Sequence, residues 1–258
     1  MSSILFEIKN SVAYLTLNRP DKFNSFNREM ALQMQAKLDE AASLNEVRAV
    51  YITGAGKAFC AGQDISELVG ENKIEIAQIL GEHYNPIVKR IRNMPKPVVA
   101  AINGVAAGAG ANIALCCDVV VASASASFIQ AFSKIGLIPD SGGTFTLPRL
   151  IGWQKASALM MTGEKVSAAD AEKMGMIFKV FEDEIFAEES IKIATSLSQM
   201  PTKGLAFTKQ ALNNSFINNW EEQLSLEDGY QQKAAATTDY NEGIHAFLEK
   251  RKAVFTGN

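Results

Sequence analysis

PVVAAINGVAAGAGANIALCCDVVVASA, Pro97 to Ala124, is the stretch on which the fold turns. PVVAAIN is an apolar run of strand length. The small residues from about Gly108 to Cys116 fit a tightly packed helix, and DVVVASA is a second apolar run of strand length. A strand, a helix and a strand in one stretch predict an α/β fold.

Upstream, ILFEIKNSVAYLTLN reads as two strands joined around Lys9-Asn10-Ser11, and NRPDKFNSF has the Pro, Asp and Asn content of a loop. From Arg28 to Leu44 the period changes: Met30, Met34, Leu38 and Ala41 recur at helical spacing. VRAVYITG then returns to a buried strand, and a helix is expected around Glu82 to Arg92. Downstream, LPRLIGWQKASALMMTG and SAADAEKMG read as capped helices and GMIFKVF as the last strand. From about Glu184 only helical patterns follow. The chain is therefore expected to form an α/β core over residues 1–190 and a C-terminal helical region over 191–258, docked on the core or on a neighbouring subunit, with no linker between them.

A net charge of −3 gives no general attraction to nucleic acid or to an anionic membrane, so any anionic ligand has to be bound locally. The longest apolar stretches are interrupted by Asn103, Asn112 and Asp118 and fall short of the roughly 20 apolar residues of a membrane span. The first residues alternate like a strand, and a cytoplasmic location is expected. Cys60, Cys116 and Cys117 lie in small, apolar surroundings without the spacing of a disulfide framework or a zinc site, and are expected as buried thiols. His83 and His245, the only histidines, fall in charged helical stretches and are expected to be solvated, which leaves no metal site and no histidine-based triad.

Two glycine-rich segments, TGAGKAF and NGVAAGAGANIAL, fit neither a P-loop nor a dinucleotide fingerprint. In KAFCAGQDISEL, Ala61 and Gly62 precede Gln63 and Asp64, so a ligand can approach the backbone closely. AAGAGAN does the same at a helix start, where peptide N–H groups lack partners. Small-residue runs also serve close helix packing, and the two uses stay open. Asp140, behind a proline at the end of the apolar run KIGLIP and ahead of two glycines, is either a turn or cap residue or a carboxylate whose pKa is raised by neighbours such as Leu137 and Ile138. Phe132 and Phe145 are candidates to line a ring-sized pocket, or else core.

KAFCAGQDISEL, PKPVVAAINGVAAGAGANIALCCDVVVASASASF and FSKIGLIPDSGGTFTLPRLIG resemble the crotonase, or enoyl-CoA hydratase/isomerase, family, and the resemblance extends over essentially the whole chain. It implies a crotonase/ClpP-like spiral of ββα units with a C-terminal helical trimerisation region, assembled as a homotrimer or a dimer of trimers. It also implies an acyl-CoA thioester substrate, with no cofactor beyond its CoA moiety. The thioester carbonyl would be held by the N–H groups of Gln63 and Ala109. Lys22 and Phe23 would border the nucleotide, Ala61, Gln63, Asp64 and Ile65 the pantetheine, and Lys250 and Phe255 would close a CoA site, that of the same or a neighbouring subunit. Their other reading is a solvated helix end.

The departures from the family pattern narrow the chemistry. Where typical hydratases carry two glutamates, this chain has Asn112 and Phe132, neither of which accepts a proton at neutral pH. The acid stands at Asp140, where the typical hydratase has glycine. Members with an acid there move protons along the acyl chain. The expectation is an isomerase with Asp140 as acid/base, most like those members that rearrange a ring epoxide of an aromatic acyl-CoA. The rival readings are a hydratase working through Asp140 and an unusual water, and a non-catalytic acyl-CoA-binding member of the fold.

Overall fold

The structure, a computed structural model, describes residues 2–70 and 73–258. The chain opens on the expected hairpin, β1 (Ile4–Lys9) against β2 (Val12–Leu17), antiparallel across Asn10 and Ser11, both at positive φ. Helix α1 (Arg28–Ser43) starts where the Asn27 side chain accepts from Met30 N–H, and it buries Met30, Met34, Leu38 and Ala41, the residues picked out by their spacing. Its C-terminal end is capped from outside: Lys96 Nζ donates to the carbonyls of Ala41, Ala42 and Leu44. A buried ammonium is tolerated there because it meets otherwise unpaired carbonyls at the negative end of the helix.

The chain then lays strands alternately into two sheets. β3 (Ala49–Gly54) is followed by β4 (Ala58–Cys60), and the pair by α2 (Ile76–Gln78), a π-helical turn (Ile79–Tyr84) and α3 (Asn85–Asn93). Next come β5 (Val98–Ile102), β6 (Val105–Ala107) and α4 (Ala109–Leu115), and then β7 (Val119–Ser123) and β8 (Ser127–Ile129). α5 (Gly143–Ile151), α6 (Trp153–Thr162), β9 (Lys165–Ser167), α7 (Ala168–Lys173) and β10 (Lys179–Phe181) complete the core. One sheet runs β1-β2-β3-β5-β7-β10 and the other β4-β6-β8-β9, with parallel pairing everywhere except β1/β2 and β8/β9. Each circuit of the chain adds one strand to each sheet, which is the spiral of ββα units expected.

The second sheet is absent from the sequence reading. Its strands are three residues each, AFC, VAA, SFI and KVS, too short for a period of two to register. The strand expected at GMIFKVF shrinks to Lys179–Phe181 for a related reason: Ala171 O and Val120 O accept the N–H groups of Met176 and Phe178 and hold that segment as a turn.

Residues from both sheets, α1, α3 and α4 form the main core. The outer face of the larger sheet is covered by α8 (Asp183–Ser198), whose Phe186 and Ala194 meet Tyr51, Val99 and Val121. α9 (Thr202–Asn214), α10 (Trp220–Ala235) and α11 (Thr238–Leu248) follow. The boundary expected at 190 falls within α8, which packs on the sheet as one helix. Lys209 on α9 is tied back to the core through Asp118, at 2.8 Å, and the same carboxylate oxygen accepts Val98 N–H. No helix among the described residues is long and apolar enough to cross a membrane.

Candidate active site

A cavity of about 480 Å³ opens where the two glycine-rich segments meet the turn that carries Asp140. Ala61, Gly62 and Gln63 form one wall, Gly108 and Ala109 another, and Phe132 with Leu137 to Ser141 a third. The sequence places residues of these stretches as many as 80 positions apart, Ala61 to Ser141; the alternation of strands between two sheets brings their ends together.

Two of the walls are fixed by backbone geometry. Gly108 has φ 54° and ψ −128°, a conformation closed to residues with a Cβ, and it turns the chain from β6 into α4. Gly110, two residues further, lies against β4 so closely that a Cβ would sit 2.6 Å from the carbonyl of Cys60. This glycine serves packing, as small-residue runs often do, while Gly108 serves the pocket. Ala61 N–H donates to Phe23 O at 2.9 Å, Phe26 N–H to Gly62 O and Asp64 N–H to Phe26 O, so the segment is pinned on both sides of Gln63. The N–H groups of Gln63 and Ala109 donate to no group among the described residues.

The side chain of Gln63 is held at both ends. Tyr84 donates its hydroxyl to Gln63 Oε1 at 2.8 Å, and Gln63 Nε2 donates to Glu67 at 2.8 Å. Tyr84, buried, lies on the cavity wall at the end of the π turn together with Ile79, Leu80 and Asn85. These residues were not found from sequence. A tyrosine on the apolar side of a helix needs a hydrogen-bond partner, and that was the available signal.

Asp140 reaches the cavity with, among the described residues, a single side-chain partner, the Ser141 hydroxyl at 2.8 Å. Burial pushes its carboxyl above the usual carboxylate range, and the Ser141 hydrogen bond only partly opposes this. It is not a helix cap: α5 begins after Gly142, and Asp140 contributes only its carbonyl, which accepts Gly143 N–H. Leu137 and Ile138, expected as its apolar surroundings, line the cavity, with Leu137 partly and Ile138 largely exposed in the single chain. Among the described residues, no other acidic, basic or imidazole side chain lines the cavity.

The remaining expected site residues divide. Ala61 and Ile65 line the cavity. Asp64 does not: its carboxylate is turned into an ion pair with Arg19 at 2.8 Å and accepts from Ser66 N and Oγ. Burial alone would raise its pKa, but the hydrogen bonds from Ser66 and Arg19 together hold it below the usual range. Lys22 and Phe23 sit in a short turn next to Ala61, with the Phe23 ring exposed. Lys250 and Phe255 stay away from this cavity; Arg48 binds Phe255 O, and the Phe255 ring packs at Gly243.

Of the two candidate pocket aromatics, Phe132 is buried on the cavity wall, while Phe145 lies elsewhere, edge-on to Phe216 and under Arg149. His245 is exposed as expected, but His83 is fully buried. The π turn supplies the reason: its wider spacing departs from the 3.6-residue period and rotates His83 inward beside Tyr84. The three cysteines are buried and free, and burial pushes the Cys60 thiol up to about 12.

The chain matches the enoyl-CoA hydratase/isomerase family over residues 7–258. It is 44% identical to the 1,2-epoxyphenylacetyl-CoA isomerase of Escherichia coli K12, across 100% of this chain and 99% of that one. A probable enoyl-CoA hydratase of Rhodobacter capsulatus is 41% identical across 99% and 98% of the two chains. The crystal structure of a putative enoyl-CoA hydratase/isomerase from Mycobacterium abscessus superposes with a TM-score of 0.92 at 33% identity, covering 99% of this chain and 100% of that one. With the spiral fold and full-length similarity both in place, the chain belongs to the enoyl-CoA hydratase/isomerase, or crotonase, family.

Proposed function

We propose that the protein is an acyl-CoA isomerase in which Asp140 is the acid/base and the N–H groups of Gln63 and Ala109 hold the thioester oxygen. One observation carries this reading: Asp140 is the single carboxylate among the described residues that line the cavity, and it shares that lining with Gln63 and Ala109, whose backbone N–H groups have no partner among the described residues. A 3-enoyl thioester seated with its carbonyl oxygen on those groups loses a proton from the α carbon to Asp140. The electron pair passes to the thioester oxygen as an enolate, and the same proton returns at the γ carbon, leaving the double bond conjugated with the thioester. Each N–H donor stabilises the enolate, and loss of one such donor typically costs about 3 kcal/mol in the barrier. The raised pKa of Asp140 suits the task, because a carboxylate that takes and returns a proton works best when its pKa lies closer to the operating pH.

The similarity to an epoxyphenylacetyl-CoA isomerase, with Phe132 on the cavity wall, supports a ring-bearing acyl group. On this reading the enzyme also rearranges the ring epoxide of 1,2-epoxyphenylacetyl-CoA to the seven-membered oxepin. CoA phosphates are met by Lys22 and, from a neighbouring subunit, by Lys250, with Phe255 beside it. Exposed apolar side chains in the C-terminal region, Trp220 at 73% and Phe247 at 84%, support assembly as a trimer or a dimer of trimers.

The test is an ultraviolet assay with a 3-enoyl-CoA and, separately, a 2-enoyl-CoA, each repeated with Asp140→Asn. Rising conjugated-enoyl absorbance from the first substrate, lost in the variant, is expected. Loss of absorbance from the second with none gained from the first would make the protein a hydratase, and 1,2-epoxyphenylacetyl-CoA turnover decides the ring substrate.

A further inference from the structure

Asn112 is fully buried in α4, where that helix meets the turn carrying Asp140. Its Nδ2 donates to the Asp140 carbonyl at 2.9 Å, and its Oδ1 accepts from Gln130 Nε2 at 2.8 Å. A carbonyl can only accept, so the amide has one workable orientation, with nitrogen toward Asp140 and oxygen toward Gln130. A carboxylate at this position would set an acceptor against an acceptor. Gly143 closes the arrangement from the other side, since a Cβ there would stand 2.3 Å from Asn112 Nδ2.

The Asp140 carbonyl also accepts Gly143 N–H at 2.8 Å, so both of its acceptor sites are occupied and the peptide plane that follows Asp140 is fixed. In the segment leading into this turn, Leu137 N–H donates to Phe132 O at 3.0 Å, and no side chain among the described residues pairs with the backbone of residues 136–139. Ile135 and Ile138 are exposed, and Asp140 itself has only the adjacent Ser141 hydroxyl on its carboxylate.

We infer that Asn112 is a positioning residue for the isomerase reaction: it fixes the backbone of Asp140, and through it the place of the carboxylate in the cavity. The Asp140 carbonyl orients the Asn112 amide, Gln130 donates to its oxygen from the far side, and Gly143 allows the turn to lie against it. The inference rests on the reading of Asp140 as the acid/base. A side chain that only fills and pairs the core would support folding equally well with any residue at 140.

Asn112→Ala is therefore measured in two backgrounds, with a 3-enoyl-CoA as substrate and enough enzyme to follow the slower one. Misplacing a reacting group by about 1 Å can cost on the order of 100-fold in rate, so kcat is expected to fall roughly 30-fold with KM changed by less than about twofold. In the Asp140→Asn background the same change should cost less than about twofold, because the group it positions is gone. Equal losses in both backgrounds, or an effect confined to KM, would overturn the inference. If Asp140→Asn alone keeps full activity, the acid/base reading fails, and that result is read from the single variant before Asn112 is touched.

Should Asn112→Ala fail to fold, Asn112→Asp gives an independent readout. Protonated, the new acid can still donate to the Asp140 carbonyl; ionised, it cannot. Its activity relative to the parent enzyme should fall as pH rises, and a ratio that stays level with pH would sink the proposal.

Discussion

Asp64 and Asp140 are two aspartates in segments that flank one cavity, and their surroundings give them opposite chemistry. Asp64 faces the Arg19 guanidinium and two donors from Ser66, so burial is outweighed and the carboxylate is held ionised. Asp140 has burial and one hydroxyl, and its proton is held more tightly than usual. The first is a clamp that ties the Arg19 turn to the segment carrying Gln63. The second has no ion partner and takes up a proton at higher pH than an ordinary carboxylate. The difference teaches that a carboxylate's role follows from its partners, since the two side chains are chemically identical.

The contrast is broken most directly by removing each carboxylate in turn. Asp140→Asn keeps an acceptor for Ser141 and loses the base, so kcat for double-bond isomerisation should drop about 1,000-fold, within the range for loss of a general base. Steady-state kinetics with KM as the control checks this. Asp64→Ala leaves the Arg19 guanidinium without its partner in a largely buried pair, and urea unfolding should show a loss of about 3 kcal/mol. An Asp64 variant as stable as the parent would remove the clamp from one side of the comparison.

The pH dependence sharpens the contrast. The acid limb of kcat/KM should titrate above the ordinary carboxylate range because of Asp140, and it should stay in place in Asp64→Ala. Stability should respond with opposite signs. A folded-state pKa raised above the unfolded value contributes stability at low pH that is lost as pH rises through it. At neutral pH the ionised Asp140 carboxylate therefore disfavours the fold, and Asp140→Asn should raise the urea midpoint at pH 7 by a small amount that vanishes below about pH 4. Asp64 has a depressed pKa, so its contribution is present above about pH 4 and fades as pH falls through the folded value. A midpoint lowered by Asp140→Asn at pH 7 would show that this carboxylate, like Asp64, is held in its charged form.

Much of this was legible in the chain because it depends on neighbours in sequence. The hairpin across Asn10 and Ser11, the buried stripe of Met30, Met34 and Leu38, and the alternation of strands and helices follow from local period and turn chemistry. The resemblance carried by KAFCAGQD, NGVAAGAGAN and IPDSGG also put Gln63, Ala109 and Asp140 in one list of candidates, and all three line one cavity. The second sheet escaped because three-residue strands carry no period, and His83 escaped because the charged composition of its stretch does not show that a π turn rotates it inward.

The sequence by itself determined the family, the order of elements and the residue types available for chemistry, since these are properties of composition and local pattern. Only the tertiary structure decided which aspartate is paired and which is free, that Tyr84 and Glu67 hold Gln63, that Phe145 lies away from the cavity, and that Asn112 reaches the Asp140 backbone. The physical reason is the same in each case. Burial, hydrogen-bond partners and the resulting pKa are set by groups that lie far apart along the chain, and they meet only once the two sheets are laid down.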